Sequence, residues 1–274
     1  MSRPWLLHLP LIDFHGNLGS ADEYDRPGDA RATEARLSHV GMSVLGAERG
    51  TGPRIPVRLI NGDLHVDGTA PPFSPERVIA ALLAVMDDPQ VSDEEIIEWV
   101  GPPVSPTGCG VVCDHVALGA GESTSLVLTA HVSYAQVAGR RVIVVTGLPL
   151  GVGPDAVIDT VGARVEAMNA GDPYWQPEHV GTWLLESPAS GPATAIPLAD
   201  IRNESYGDVI HIVCVPLNDE VAAKCAAQIV STWGVRTEQQ VQLPAPLPQL
   251  MRDLVDDDIE AQRAALNALS SAFD

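Results

Sequence analysis

The side chains with chemistry to offer crowd into one stretch, "DFHGNLGSADEYDRPGDARATEARLS", Asp13 to Ser38. Tyr24 carries a phenol, a group used for nucleophilic catalysis. Arg31 and Arg36 carry guanidiniums that can bind phosphate. Pairing on the surface, beside Glu34, is the simpler use for both. His15 can titrate or ligate, although a polar loop position is a sufficient explanation for it. Gly16, Asn17 and Gly19 read as shapers of a turn. Thr33 and Glu34 read as structural, at the start of a helix. Farther on, "RNES" at Arg202 to Ser205 reads as a turn held by side-chain hydrogen bonds. These residues compose no Ser-His-Asp set and no metal cluster. No G-x-x-x-x-G-K-[ST] loop is present, so no ATP site, cofactor or metal is expected.

The four cysteines, Cys109, Cys113, Cys214 and Cys225, lack the paired spacing of a zinc site. They are read as buried free thiols. The formal net charge is −20, from 36 acidic and 16 basic residues. DNA affinity comes largely from cations that replace counterions on phosphate. A chain this acidic is a poor DNA binder unless its arginines gather on one face. Six of them, Arg26, Arg31, Arg36, Arg49, Arg54 and Arg58, do fall within 33 residues, which keeps weak DNA contact open. No apolar run approaches the roughly 18 residues of a membrane span. The N-terminus lacks the features of a signal peptide. A cytoplasmic protein with no membrane partner is expected.

Several elements must position these groups. The spacing of Leu37, Val40 and Val44 predicts a helix from Ala30 to about Leu45. "PVRLING" reads as a strand. "SPERVIAALLAVMDD" predicts a helix capped by Ser74, with Pro75 at its first position and Val78, Leu82, Val85 and Met86 on its apolar face. "SDEEIIEWVG" predicts a shorter helix, capped by Ser92 and closed by Gly101. "GVVCDHVAL", "STSLVLTAHVSYAQ" and "GRRVIVVTGLPL" read as strands, with "AGRR" the hairpin turn between the last two. A helix on "GPDAVIDTVGARVEAM" and a loop from Asn169 to Ala195 follow. The strand "VIHIVCVPL" and the helix "DEVAAKCAAQIVSTWG" come next. A final helix from Leu247 to Phe273 shows an imperfect stripe of Leu250, Leu254, Ile259, Ala264 and Leu266. That helix either packs back on the body or pairs with a second copy. The order of elements indicates an α+β fold.

Six segments, in order, resemble one family. "LPLIDFHGNLGS" resembles the "VDGQGNFGS" loop found in the A subunit of DNA gyrase, with its counterpart in topoisomerase IV. "DARATEARLS" is similar to the family's "A-x-R-Y-T-E-x-R-L". The segments from Arg58 to Asp88, Glu94 to Cys109, Val142 to Val161 and Ala199 to Asp219 follow the family's order and spacing. The resemblance implies the end of a winged-helix and catalytic-loop region at 1–60. It also implies a tower-like α+β domain at 61–245 and the root of a coiled-coil arm at 246–274.

In that family a tyrosine attacks a backbone phosphate and keeps the broken end as an ester. An adjacent arginine stabilises charge there, and the partner subunit holds the magnesium. The resemblance places Arg31 at the arginine and Ala32 at the tyrosine. A methyl group has no nucleophile to offer. Tyr24 lies eight residues upstream, and misplacement of a nucleophile costs heavily. Its acidic neighbours would also raise the phenol pKa, so it reads as an ordinary loop residue. Asp63 and Asp67 stand where the family brings an apolar wedge to DNA, and they would face phosphate badly. The family's recognition helices, dimer gate and wrapping domain are also expected to be missing.

The expectation is a non-catalytic relative that acts by binding, with Arg31, Arg36, His15 and Asn17 as candidate contacts to DNA or a partner. Its expected partners are the A or B subunits of gyrase, weakly held DNA, and a second copy of itself. Two alternatives stand beside it. One is a split type IIA topoisomerase in which another chain supplies the tyrosine. The other is a weak architectural DNA-binding module.

Overall fold

The computed structural model describes residues 3, 5–21, 25–63, 70–169, 198–232, 236–271 and 273. The expected loop from Asn169 to Ala195 lies almost wholly outside these residues, as do Tyr24 and Asp67. Helices and antiparallel strands are segregated, as in an α+β fold.

The first core is helical on one side and sheet on the other. Its helices are α2 (Val57–Asn61), α3 (Pro75–Asp87), α4 (Asp93–Val100), α5 (His115–Gly119), α8 (Leu247–Asp253) and α9 (Ile259–Ser270). Its sheet has the order β3 (Gly110–Cys113), β4 (Thr124–Thr129), β9 (Arg236–Val241). The centre is α3. Ser74 Oγ accepts from Arg77 N, Pro75 opens the helix, and Val78, Leu82, Val85 and Met86 are buried, as the sequence predicts. Ser92 and Glu95 form a reciprocal capping box at the start of α4. The Arg77 guanidinium donates to the carbonyls of Trp99 and Glu98, 2.8 and 2.7 Å away. It satisfies acceptors that a helix end leaves open.

The second core lies under the sheet β5 (His131–Val137), β6 (Arg140–Gly147), β8 (Ile212–Pro216), β7 (Leu198–Asn203), given in spatial order. The helices α6 (Pro154–Asn169) and α7 (Ala222–Thr232) complete it. The β5–β6 turn is "AGRR" as expected, with positive φ at Ala138 and Gly139, the geometry of a tight hairpin.

Four expectations fail and one strand was not foreseen, each for a tertiary reason. "STSLVLTAHVSYAQ" is not one strand. It breaks at buried Ala130, so β4 joins the first core's sheet and β5 the second's. In "GVVCDHVAL" only β3 is extended, because Asp114 caps the short α5. "PVRLING" is the helix α2, which turns Val57, Ile60 and Asn61 inward together. Asn61 then bonds Leu9 twice, accepting from its N–H and donating to its carbonyl, both at 2.8 Å. β9 occupies a stretch with no obvious strand signal, "RTEQQV", because β4 offers it an edge across six residue pairs. The expected final helix is two, α8 and α9, with a break at "LVDDD" where Asp258 caps α9. α9 folds back on α3. Leu266 is fully buried, and Arg263 meets Asp87 at 2.7 Å.

The N-terminal region also differs from the predicted helix at 30–45. Ala30–Ala32 is a 3₁₀ turn capped by Asp29. The strand β2 (Glu34–Leu37) pairs antiparallel with β1 (Ile12–His15). The helix α1 (His39–Glu48) begins only after Ser38, whose Oγ accepts from Gly41 N and donates to the Pro10 carbonyl. The whole of β2 reaches a partner strand, and that pairing overrides helix propensity.

Gly41 seats the ribbon on α1. A Cβ added there would lie 2.1 Å from the Leu11 carbonyl oxygen. Gly41→Ala is expected to cost about 1–3 kcal/mol through overpacking, read by urea denaturation. An unchanged midpoint would mean that the ribbon is not seated this way.

Candidate functional site

The candidate site is the ribbon β1–β2 and the loop it carries. Gly16 holds a φ of 115°, and a Cβ there would lie 2.9 Å from the Ala32 carbonyl oxygen. Only glycine lets the two ends of the loop cross so closely. Asn17 closes the loop as the sequence suggests. Its Oδ1 accepts from Gly19 N at 2.7 Å, and its carbonyl accepts from Gly28 N at 2.9 Å. The chain then enters the 3₁₀ turn, where Asp29 Oδ1 accepts from Arg31 N and Thr33 Oγ1 donates to the Ala30 carbonyl.

This geometry displays Arg31 and Ala32 together on an exposed turn. The Arg31 guanidinium makes no hydrogen bond or ion pair with another described residue. Arg36 lies on β2, directly across from Asp13, and pairs with it at 3.4 Å rather than with Glu34. His15 is exposed and stands opposite Glu34 in the ribbon. The four candidates thus share one small element. In the wider run of arginines, one is already engaged within the fold. Arg54 is tied to Asp256 at 3.1 Å and to the Asp253 carbonyl at 2.9 Å. The carboxylate of Asp63 closes its own loop by accepting from Ala70 N.

The cysteines are free, and all but half-buried Cys113 are buried. Burial pushes the thiols of Cys109 and Cys113 up, and carries Cys214 to about 12 with help from neighbouring Cys225. None of these three is a thiolate nucleophile at neutral pH. Among the described residues no three His, Cys, Asp or Glu side chains are placed to hold a metal. None of their helices is long and apolar enough to cross a membrane. One feature escaped sequence reasoning, an open cavity that joins the N-terminal segment to the loops around 150 and 210. No local motif marks it, because its walls lie far apart in the chain.

No family model matches the chain. Individual relatives do. The A subunit of DNA gyrase from Mycoplasma genitalium is 26% identical over 281 aligned residues, which cover 92% of this chain. The corresponding Chlamydia pneumoniae protein is 28% identical over 78% of it. The A subunit of DNA topoisomerase 4 from Streptococcus pyogenes is 32% identical over 39% of it.

The chain is similar to the A subunits of DNA gyrase and topoisomerase IV.

It spans less than a third of the length of the gyrase proteins it matches, 29% and 26% for the first two.

Proposed function

We propose that this chain acts by binding rather than by cutting, as a non-catalytic gyrase-A-like protein that modulates gyrase or its DNA transactions. The observation that carries the reading is Ala32. It stands beside Arg31 on an exposed turn, at the position where the family motif has its tyrosine. The turn keeps the arginine available and offers no hydroxyl to attack a phosphate. Residues 61–245 are the proposed tower-like α+β domain, and the sheet β5–β6–β8–β7 with α6 and α7 lies within it.

Its proposed partners are the B subunit of gyrase, which a gyrase-A-like surface can occupy, the A subunit, and a second copy of the chain. The net charge of −20 gives the chain a field of the same sign as DNA. It could therefore compete for a cationic DNA-binding surface on such a partner. The test is a supercoiling assay with the host's own gyrase, titrated with this protein. A dose-dependent change in supercoiling is expected, and its direction distinguishes an inhibitor from an activator. Unchanged supercoiling at a large molar excess would discard the role.

One observation favours a second reading, a component of a split topoisomerase. The guanidinium of Arg31 is exposed, with no ion pair to a described residue. It is free to stabilise a phosphate attacked by another chain's tyrosine. Under that reading, adding a tyrosine-bearing chain and the gyrase B subunit would yield protein-linked DNA breaks that Arg31→Ala removes.

A further inference from the structure

The sheet of the second core ends on one side at β5, "HVSYAQV". Its seven residues include no lysine, arginine, aspartate or glutamate, no proline and no glycine. Among the described strands β5 pairs with β6 alone, and none of its residues is buried. Tyr134 and Val137 are 52% and 45% exposed. Proteins usually blunt such an edge with charge, proline or a covering element, because its open backbone groups invite another strand. The other described outer strands follow that rule. β7 carries Asp200 and Arg202, β9 carries Arg236 and Glu238, the ribbon carries Asp13, Glu34 and Arg36, and β3 has only four residues.

The ladder decides which groups are open. Residues of an antiparallel strand alternate between exchanging both backbone bonds with their partner and turning both away. The two-residue turn at Ala138 and Gly139 makes Val137 and Arg140 the first bonded pair. Val132, Tyr134 and Gln136 therefore turn their N–H and C=O groups to the outer edge. No backbone group of another described element meets them there.

The strand also suits its own copy. A twofold axis at Tyr134 sets that residue against itself, Val132 of each copy against Gln136 of the other, Ser133 against Ala135, and His131 against Val137. Paired residues lie an even number apart, so each keeps its face of the sheet, and no pair joins like formal charges. The open groups of Val132, Tyr134 and Gln136 meet one another across the axis. Two chains that each carry a net charge of −20 repel, and an uncharged edge is where they meet at least cost.

We propose that β5 pairs antiparallel with β5 of a second copy about a twofold axis at Tyr134, joining the two sheets into one. This gives the second copy among the proposed partners a surface on a different sheet from the Arg31 ribbon. Its test involves no gyrase, so the two readings fail separately. A strand edge alone buries less than the roughly 1,000 Å² of a lasting interface, so the dimer dissociates on dilution.

Sedimentation equilibrium of the intact chain, from about 1 to 200 μM, reads the mass. A reversible monomer–dimer equilibrium is expected. Tyr134→Lys and Tyr134→Glu each set like charges across the axis, and each is expected to weaken dimerisation at least about tenfold. Mixed in equal amounts, the two variants are expected to restore it, since lysine then faces glutamate. Circular dichroism reports the fold of both. Amide exchange of the unaltered protein needs no variant. The Val132, Tyr134 and Gln136 amides are expected to slow as concentration rises, and those of Ser133 and Ala135, which face β6, are not. A monomer at every concentration would overturn the proposal and leave the edge to a foreign strand. A dimer that neither variant weakens, or that the mixture fails to restore, would overturn the pairing as well.

Discussion

Mixed with the B subunit of gyrase, magnesium and duplex DNA, this protein is expected to leave no DNA covalently attached to itself after denaturation with detergent. The reason is chemical. Strand cleavage through a phosphotyrosyl ester requires a hydroxyl in line with the phosphorus, and position 32 presents a methyl group. Removing the nucleophile of a covalent catalyst costs on the order of 10⁶ in turnover, and the remaining groups do not compensate. His15, Thr33 and the thiols of Cys109 and Cys113 do not stand in for it. His15 is held in the ribbon opposite Glu34, Thr33 spends its hydroxyl on the Ala30 carbonyl at 3.2 Å, and burial keeps the thiols of Cys109 and Cys113 protonated. Labelled DNA and a denaturing gel decide the matter. A labelled band at the mass of this chain would sink the argument, and Tyr24→Phe would then show whether the phenol upstream is responsible.

The parts of this fold that could be read from sequence are those held by local chemistry. Ser74 with Pro75, and Ser92 with Glu95, mark the starts of α3 and α4 because each side chain caps a helix only two or three residues away. The glycine-rich loop was legible for the same reason, since Asn17 closes on Gly19 within three residues. The misread parts depend on distant partners. β2 resembles the first turns of a helix until Ile12–His15 pairs with it. α2 resembles a strand until Leu9 runs beside Asn61. Nothing in "RTEQQV" announces β9 without the edge of β4. The candidate site divides likewise. Arg31 and Ala32 are neighbours in the chain, so the sequence alone pairs them. The engagement of Arg36 with Asp13, and of Arg54 with Asp256, required the fold.

A second large effect is expected at Gln262, a fully buried polar side chain in α9. Its amide is divided among three backbone groups. Nε2 donates to the carbonyls of Arg54 and Leu254, at 2.9 and 2.8 Å, and Oε1 accepts from Asp256 N at 2.9 Å. These bonds hold the break between α8 and α9 and fix the loop before α2 against it. Asp256 reinforces the clamp by accepting from Arg54 N at 2.6 Å. Gln262→Leu keeps much of the volume but leaves two carbonyls and one N–H without their partner. Each buried polar group so orphaned costs about 1–3 kcal/mol. Because Asp256 is only half-buried and water can reach it, a total of about 2–4 kcal/mol is expected. The neighbouring Arg263→Ala breaks only the partly exposed pair with Asp87 and is expected to cost less than about 1 kcal/mol. Urea denaturation of the two variants separates a buried clamp from a surface ion pair. Equal losses, or a loss below about 1 kcal/mol for Gln262→Leu, would mean that apolar packing of Leu266 against the α3 core, rather than the amide, holds α9 on the body.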